Sequence, residues 1–70
     1  MENNTKACVA IHKLKADAQF AFIGDIVTET DFNKIEWKTG VDSEGVSIMT
    51  TTNPQSEINW SLFKTEMDKL

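Results

Sequence analysis

Residues Asn53-Pro54-Gln55-Ser56-Glu57-Ile58, coming after a short aromatic strand Ile35-Glu36-Trp37, constrain the fold of this chain more than any other stretch. Asn53 has a capping side chain, Pro54 suits a first helical position where no amide donor is needed, and Glu57 places negative charge near the positive end of the helix dipole. The spacing predicts a C-terminal helix over about 54–69. At about 100° per residue, Ile58 and Leu62 fall on one side, while Trp60, Phe63, Met67 and Leu70 gather on another. Two apolar faces on one helix exceed what a small sheet covers. With the Ile58 and Leu62 face packed inward, Trp60, Phe63, Met67 and Leu70 become the candidate partner-binding residues. Trp60 leads them because tryptophan is enriched at interface hot spots.

The rest of the chain supplies the sheet. Ile35 and Trp37 alternate with Lys34, Glu36 and Lys38, the two-residue period of a strand with one buried face, predicted over about 33–39. Ala18, Phe20 and Phe22 alternate with Gln19 and Ala21 in the same way, giving an antiparallel partner over about 18–23 that Gly24-Asp25 ends. The polar, β-branched residues 26–31 suit a loop or wide turn. Gly40 to Gly45, with Asp42, Ser43 and Glu44 between them, is a turn by composition. Val46, Ile48 and Thr50 then alternate, so 46–52 is open to a third strand. Ahead of the sheet Thr5 can cap a helix over about 5–14, with Ala7, Ile11 and Leu14 at helical spacing. Val9 and Ile11 also alternate as in a strand, but the alanines favour the helix. The fold class is a small α+β domain spanning 1–70: an antiparallel sheet of two or three strands packed by the C-terminal helix, with a short N-terminal helix.

Size sharpens the need for a partner. A 70-residue chain hides only about 60% of its unfolded surface, and such domains often lean on a disulfide, a metal or another protein. The single Cys8 cannot form an internal disulfide, and one cysteine with one histidine, His12, makes no structural zinc site. A protein partner or a second copy is the remaining staple. Net charge is −4 and there is no arginine, which argues against nucleic acid, because neutralising phosphates needs clustered basic side chains. Acidic balance serves solubility; mimicry of a nucleic-acid backbone would call for denser carboxylates. The start Met-Glu-Asn-Asn-Thr lacks the basic and apolar segments of a signal peptide, and no apolar run is long enough to span a membrane. A soluble protein of the cell interior is expected.

Candidate chemistry is sparse. Cys8 and His12, four apart, share one face of the proposed helix and would make half a metal site, with no further His or Cys to complete it. A Cys–His nucleophile would also need an orienting group and an oxyanion hole. A small buried thiol and a surface imidazole account for the pair. Asp25 with Glu29 and Asp31, and Asp42 with Glu44, are paired carboxylates in polar, turn-like sequence, where no apolar pocket raises one of them for acid–base work. Gly24, Gly40 and Gly45 are too widely spaced to cradle phosphate. No catalytic, metal or cofactor residue is expected, and the aromatics Phe20, Phe22, Phe32, Trp37, Trp60 and Phe63 are read mainly as core.

Taken together, Ile11-x-x-Leu14, Ala18-Gln19-Phe20, Gly24-Asp25, the run Asp31-Phe32-Asn33-Lys34-Ile35-Glu36-Trp37 and Thr52-Asn53-Pro54-x-x-Glu57-Ile58 resemble the pattern of the XkdW-like short proteins of tailed phages and prophages. The resemblance covers most of the chain, from Ile11 to Leu62. Ala16 stands where that pattern tends to have proline, Asn53-Pro54-Gln55 replaces its Pro-Thr, and the interval between Lys38 and Thr52 is long for it. The resemblance implies phage origin and a small accessory role near tail or other virion genes, in the host cytoplasm or associated with the virion. It carries over no functional residue. Two functions follow as expectations: a structural or assembly accessory that binds a virion protein or itself, and a phage-encoded inhibitor that docks on a host enzyme or defence complex.

Overall fold

The computed structural model describes residues 2–70. The first helix, α1 (Asn3–Leu14), starts one turn earlier than Thr5 would place it, with Glu2 in the extended N-cap conformation and making no side-chain cap. The asparagines of that first turn serve a tertiary purpose instead. Asn3 Nδ2 donates to the Ile26 carbonyl at 2.9 Å, while Asn4 Oδ1 accepts from the Ile26 amide at 3.1 Å and Asn4 Nδ2 donates to the Gly24 carbonyl at 3.1 Å. These bonds satisfy backbone groups of the 24–26 segment that no strand satisfies. They also let Ile26 enter the core, where it is 3% exposed.

Strand β1 is Phe20–Ala21, shorter than the alternation suggests, and pairs antiparallel with β2 (Glu36–Val41) through Phe20 opposite Trp37 and Ala21 opposite Glu36. The segment expected to be loop contains a one-turn helix, α2 (Glu29–Phe32). Thr28 caps it by accepting from the Asp31 amide, and the Asp31 carboxylate accepts from the Thr28 amide in return, a reciprocal capping box. This turn delivers Phe32 into the core and delays β2 past residues 33–35. Ile35 and Trp37 still share the buried face, at 0% and 1% exposure.

The third strand exists as β3 (Ser47–Thr50), antiparallel to β2 at the edge of a sheet ordered β1-β2-β3. Strand β2 runs through Gly40 to Val41, so the connecting turn is tighter than 40–45. Asp42 organises it: its Oδ1 accepts from the amides of Glu44 at 2.8 Å and Val46 at 3.0 Å. Gly45 takes φ 83°, a left-handed conformation that side chains with a Cβ resist. A register shift between Lys38 and Gly40 leaves Thr39 as a bulge in β2.

The C-terminal helix, α3 (Trp60–Asp68), begins at Trp60 and not at Pro54. Asn53 turns the chain without opening a helix: its Oδ1 accepts from the Gln55 amide at 2.8 Å and its Nδ2 donates to the Ile58 carbonyl at 2.6 Å. That local pairing competes with helix formation, as asparagine side chains often do. The helix is capped by Asn59, whose Oδ1 accepts from the Leu62 amide at 2.8 Å. Both terminal helices pack with the sheet around one cluster of ten buried apolar residues. Its centre is a run of aromatic contacts linking Phe20, Trp37, Phe32 and Phe63, with ring centroids 5.1 to 6.3 Å apart. Such tilted and edge arrangements suit the ring quadrupoles. No polar side chain among the described residues is buried.

Candidate protein-interaction surface

The phase of α3 decides which of its apolar residues can meet another protein. Because the helix starts at Trp60, Phe63 turns inward and is 1% exposed, stacked 5.1 Å from Phe32 and 5.8 Å from Trp60. The expected inward pair is split. Ile58 is buried at 2% but precedes the helix, and Leu62 faces solvent at 44% exposure. Of the four candidate partner-binding residues, Phe63 therefore belongs to the core, and a partner reaches little of it. Trp60 and Met67 are half-buried against the core, and Leu70 is 37% exposed at the chain end.

Trp60, Phe63 and Met67 nonetheless meet at one place. They line a groove of about 140 Å³ between α3, the first turn of α1 and the segment after β1, with Phe63 as its floor. Val27 stands at the lip at 67% exposure, and the Lys64–Asp68 ion pair, 3.6 Å across, lies along the helix side. Residues 26–31 have the composition of a loop, which gives Val27 no mark in the sequence. The alternation of burial between Ile26 and Val27 is set by the asparagines of α1, which lie more than twenty positions away. A second cavity of about 150 Å³, near Ile23, Asp25 and Lys34, borders Asp31, whose carboxylate is already committed to the α2 cap.

The other uncovered surface is the β2–β3 hairpin. Every residue from 41 to 49 is exposed, among them Val41, Val46, Ile48 and Met49. The molecule extends 40 Å along its long axis and about half that across, and β3 packs principally on β2. The core ends near Trp37 and Thr50, which face one another across the two strands. Beyond that pair nothing is left to cover the hairpin.

Cys8, His12 and Asp31 have structural partners. His12 Nε2 lies 3.1 Å from the Ala18 carbonyl and so donates to it, which leaves Nδ1 as the acceptor facing Cys8 Sγ at 3.7 Å in the neutral ring. The imidazole also packs on Phe20, 5.2 Å between centroids. The pair thus ties α1 to the start of the sheet. Among the described residues no three His, Cys, Asp or Glu side chains gather as metal ligands. Asp31 accepts from the amides of Thr28 and Val27 and from the Thr28 hydroxyl, and these bonds hold its carboxyl below the usual range. Glu57 is lowered as well, first by the Ser56 hydroxyl at 2.8 Å and then by Lys15 at 3.3 Å. Hydrogen bonds to Glu57 and then Asp17 raise Lys15.

No protein-family model, curated protein or solved structure matches the chain. No helix among the described residues is long and apolar enough to cross a membrane.

Proposed function

We propose that this chain is a non-catalytic accessory protein of a tailed phage that binds another protein during virion assembly, through the groove lined by Trp60 and Met67. The observation that carries the reading is the position of Val27, two-thirds exposed at the lip of a groove whose floor and wall are aromatic and thioether side chains. A half-buried tryptophan and a methionine beside an exposed valine, bordered by the polar Asn3, Lys64 and Asp68, match the apolar centre and polar rim of a protein-binding site. The resemblance to XkdW-like phage proteins supplies the setting, in the host cytoplasm and on the assembling particle.

The test is genetic. Deleting the gene from the phage or prophage that carries it should reduce assembled particles. The wild-type gene should restore them, and a Val27→Glu copy, which sets a carboxylate at the groove lip, should not. Normal particle yield from the deletion removes the assembly role. Normal particles combined with failed propagation on a host that the wild-type phage infects would replace it with an inhibitor of a host protein.

A further inference from the structure

We propose that β3 is an association edge, along which two copies of this chain pair antiparallel to form a continuous six-stranded sheet, β1-β2-β3 joined to its two-fold mate. The proposal stands on a different surface from the groove, so either can fail without the other.

An edge strand presents unpaired amides and carbonyls to any chain that can align with it, and soluble proteins blunt such edges with charge, proline, bulges or a covering element. Here β3, though only four residues long, carries no charge, no proline, no bulge of its own and no covering element. Residues 46–52 read Val-Ser-Ile-Met-Thr-Thr-Thr, with no charge and no proline, and they are rich in β-branched residues. The bulge at Thr39 lies in β2, and β3 itself is regular. Its side chains are uncovered on both faces, Ile48 at 46% exposure and Met49 at 36%, with Val46 at 58% in the turn beside them. A lone chain gains nothing by holding these apolar groups in water.

Charge selects the occupant. The chain carries net −4, so two copies repel unless they meet where neither is charged, and 46–52 is such a stretch. The acidic residues Asp42 and Glu44 sit at one end of β3, in the turn, whereas Lys38 lies toward the other end, opposite Met49. Antiparallel pairing about a two-fold axis keeps the two acidic turns apart by the length of the seam, roughly 13 Å for the four residues of β3. That exceeds the Debye length of about 8 Å at physiological salt. The same pairing brings each turn toward the Lys38 end of the other copy. Parallel pairing would stack the acidic turns. The seam is thus self-complementary in the sense a two-fold interface requires.

The contact is small, one short strand and a few apolar side chains from each copy, which falls in the class of weak interfaces.

Sedimentation velocity on the full chain, from about 5 μM to about 1 mM, tests it, with hydrogen exchange at both ends of the range. The average mass should climb from 7.9 kDa toward twice that value, with new amide protection confined to 46–52. Met49→Lys, which sets like charges along the seam, should weaken association at least tenfold, and Ile48→Lys should do the same. Both side chains are exposed, so near-ultraviolet circular dichroism should show the fold intact. Val27→Glu should leave association unchanged. A chain that stays at monomer mass throughout the range overturns the proposal. So does a dimer that survives both lysine variants, or one whose protection lies outside 46–52.

Discussion

Replacing Phe63 by leucine, and separately Leu62 by alanine, tests which side of α3 faces the core. Phe63 is 1% exposed and stacks on Phe32 and Trp60, whereas Leu62, the adjacent residue, is 44% exposed. Truncating a buried phenylalanine to alanine costs about 3 to 5 kcal/mol. At about 0.05 to 0.15 kcal/mol per residue, a chain of this length has only about 4 to 10 kcal/mol in all. Phe63→Ala would therefore leave too little stability to measure well. Leucine keeps most of the volume and forfeits the ring contacts, each worth about 0.5 to 1.5 kcal/mol, so Phe63→Leu should cost about 2 kcal/mol. Leu62→Ala removes a side chain that faces solvent, in a helix that tolerates alanine, and should stay within about 0.5 kcal/mol. Urea unfolding followed by fluorescence of Trp37 and Trp60 reads both changes. With a slope of about 1 kcal/mol per molar, the midpoint should fall by about 2 M for Phe63→Leu and by under about 0.5 M for Leu62→Ala. If Leu62→Ala costs as much as Phe63→Leu, the helix is turned to the other face and the groove assignment falls with it.

Other consequences follow from the caps and turns. Asn59→Ala removes the acceptor for the Leu62 amide and should cost about 1 kcal/mol in the same unfolding experiment. Gly45→Ala meets no neighbouring atom but forces a Cβ onto φ 83°, a strain of about 1 to 2 kcal/mol. Amide exchange in 41–49 should quicken while the core amides hold. The folded-state pKa of Asp31 is depressed, so its stabilisation is complete above the unfolded carboxylate value and is lost as pH falls through the folded one. Asp31→Asn should accordingly flatten the acid limb of a stability–pH profile, and an unchanged limb would remove the capping box from the explanation.

Sequence periodicity revealed the elements because burial on one face imposes it. Ile35 and Trp37 mark the buried face at β2, although the strand itself runs Glu36–Val41 and not 33–39, and Ala7 and Ile11 mark α1. The sequence points to Pro54 for the start of α3 because Asn53 and Asn59 are both good caps in isolation. The choice between them is made by the Ile58 carbonyl, to which Asn53 donates. α2 was missed because one turn of helix has too few apolar positions to show a period, although Thr28 followed three residues later by the acid Asp31 was its legible trace. The alternation of Val46, Ile48 and Thr50 leaves a third strand open, and the strand is present over Ser47–Thr50, but the alternation does not tell whether either face is covered. Coverage depends on how far the core reaches, and the core stops at Thr50. Of the candidate partner residues on α3, Trp60, Phe63 and Met67 line one groove while Leu70 lies outside it, and the burial of Phe63 is set by the packing of the helix on Phe32, which the sequence does not display.

The most direct measurement of the binding role is photo-crosslinking in cells that are producing the phage, from an amino acid with a photoreactive side chain placed at Val27. The same residue placed at Asp17, an exposed position on the α1–β1 connection, gives the control. A groove that anchors an assembly partner predicts one dominant crosslink from Val27 to a structural protein of the virion, absent from Asp17. Equal labelling from both positions, or a Val27 crosslink to host proteins alone, would contradict it.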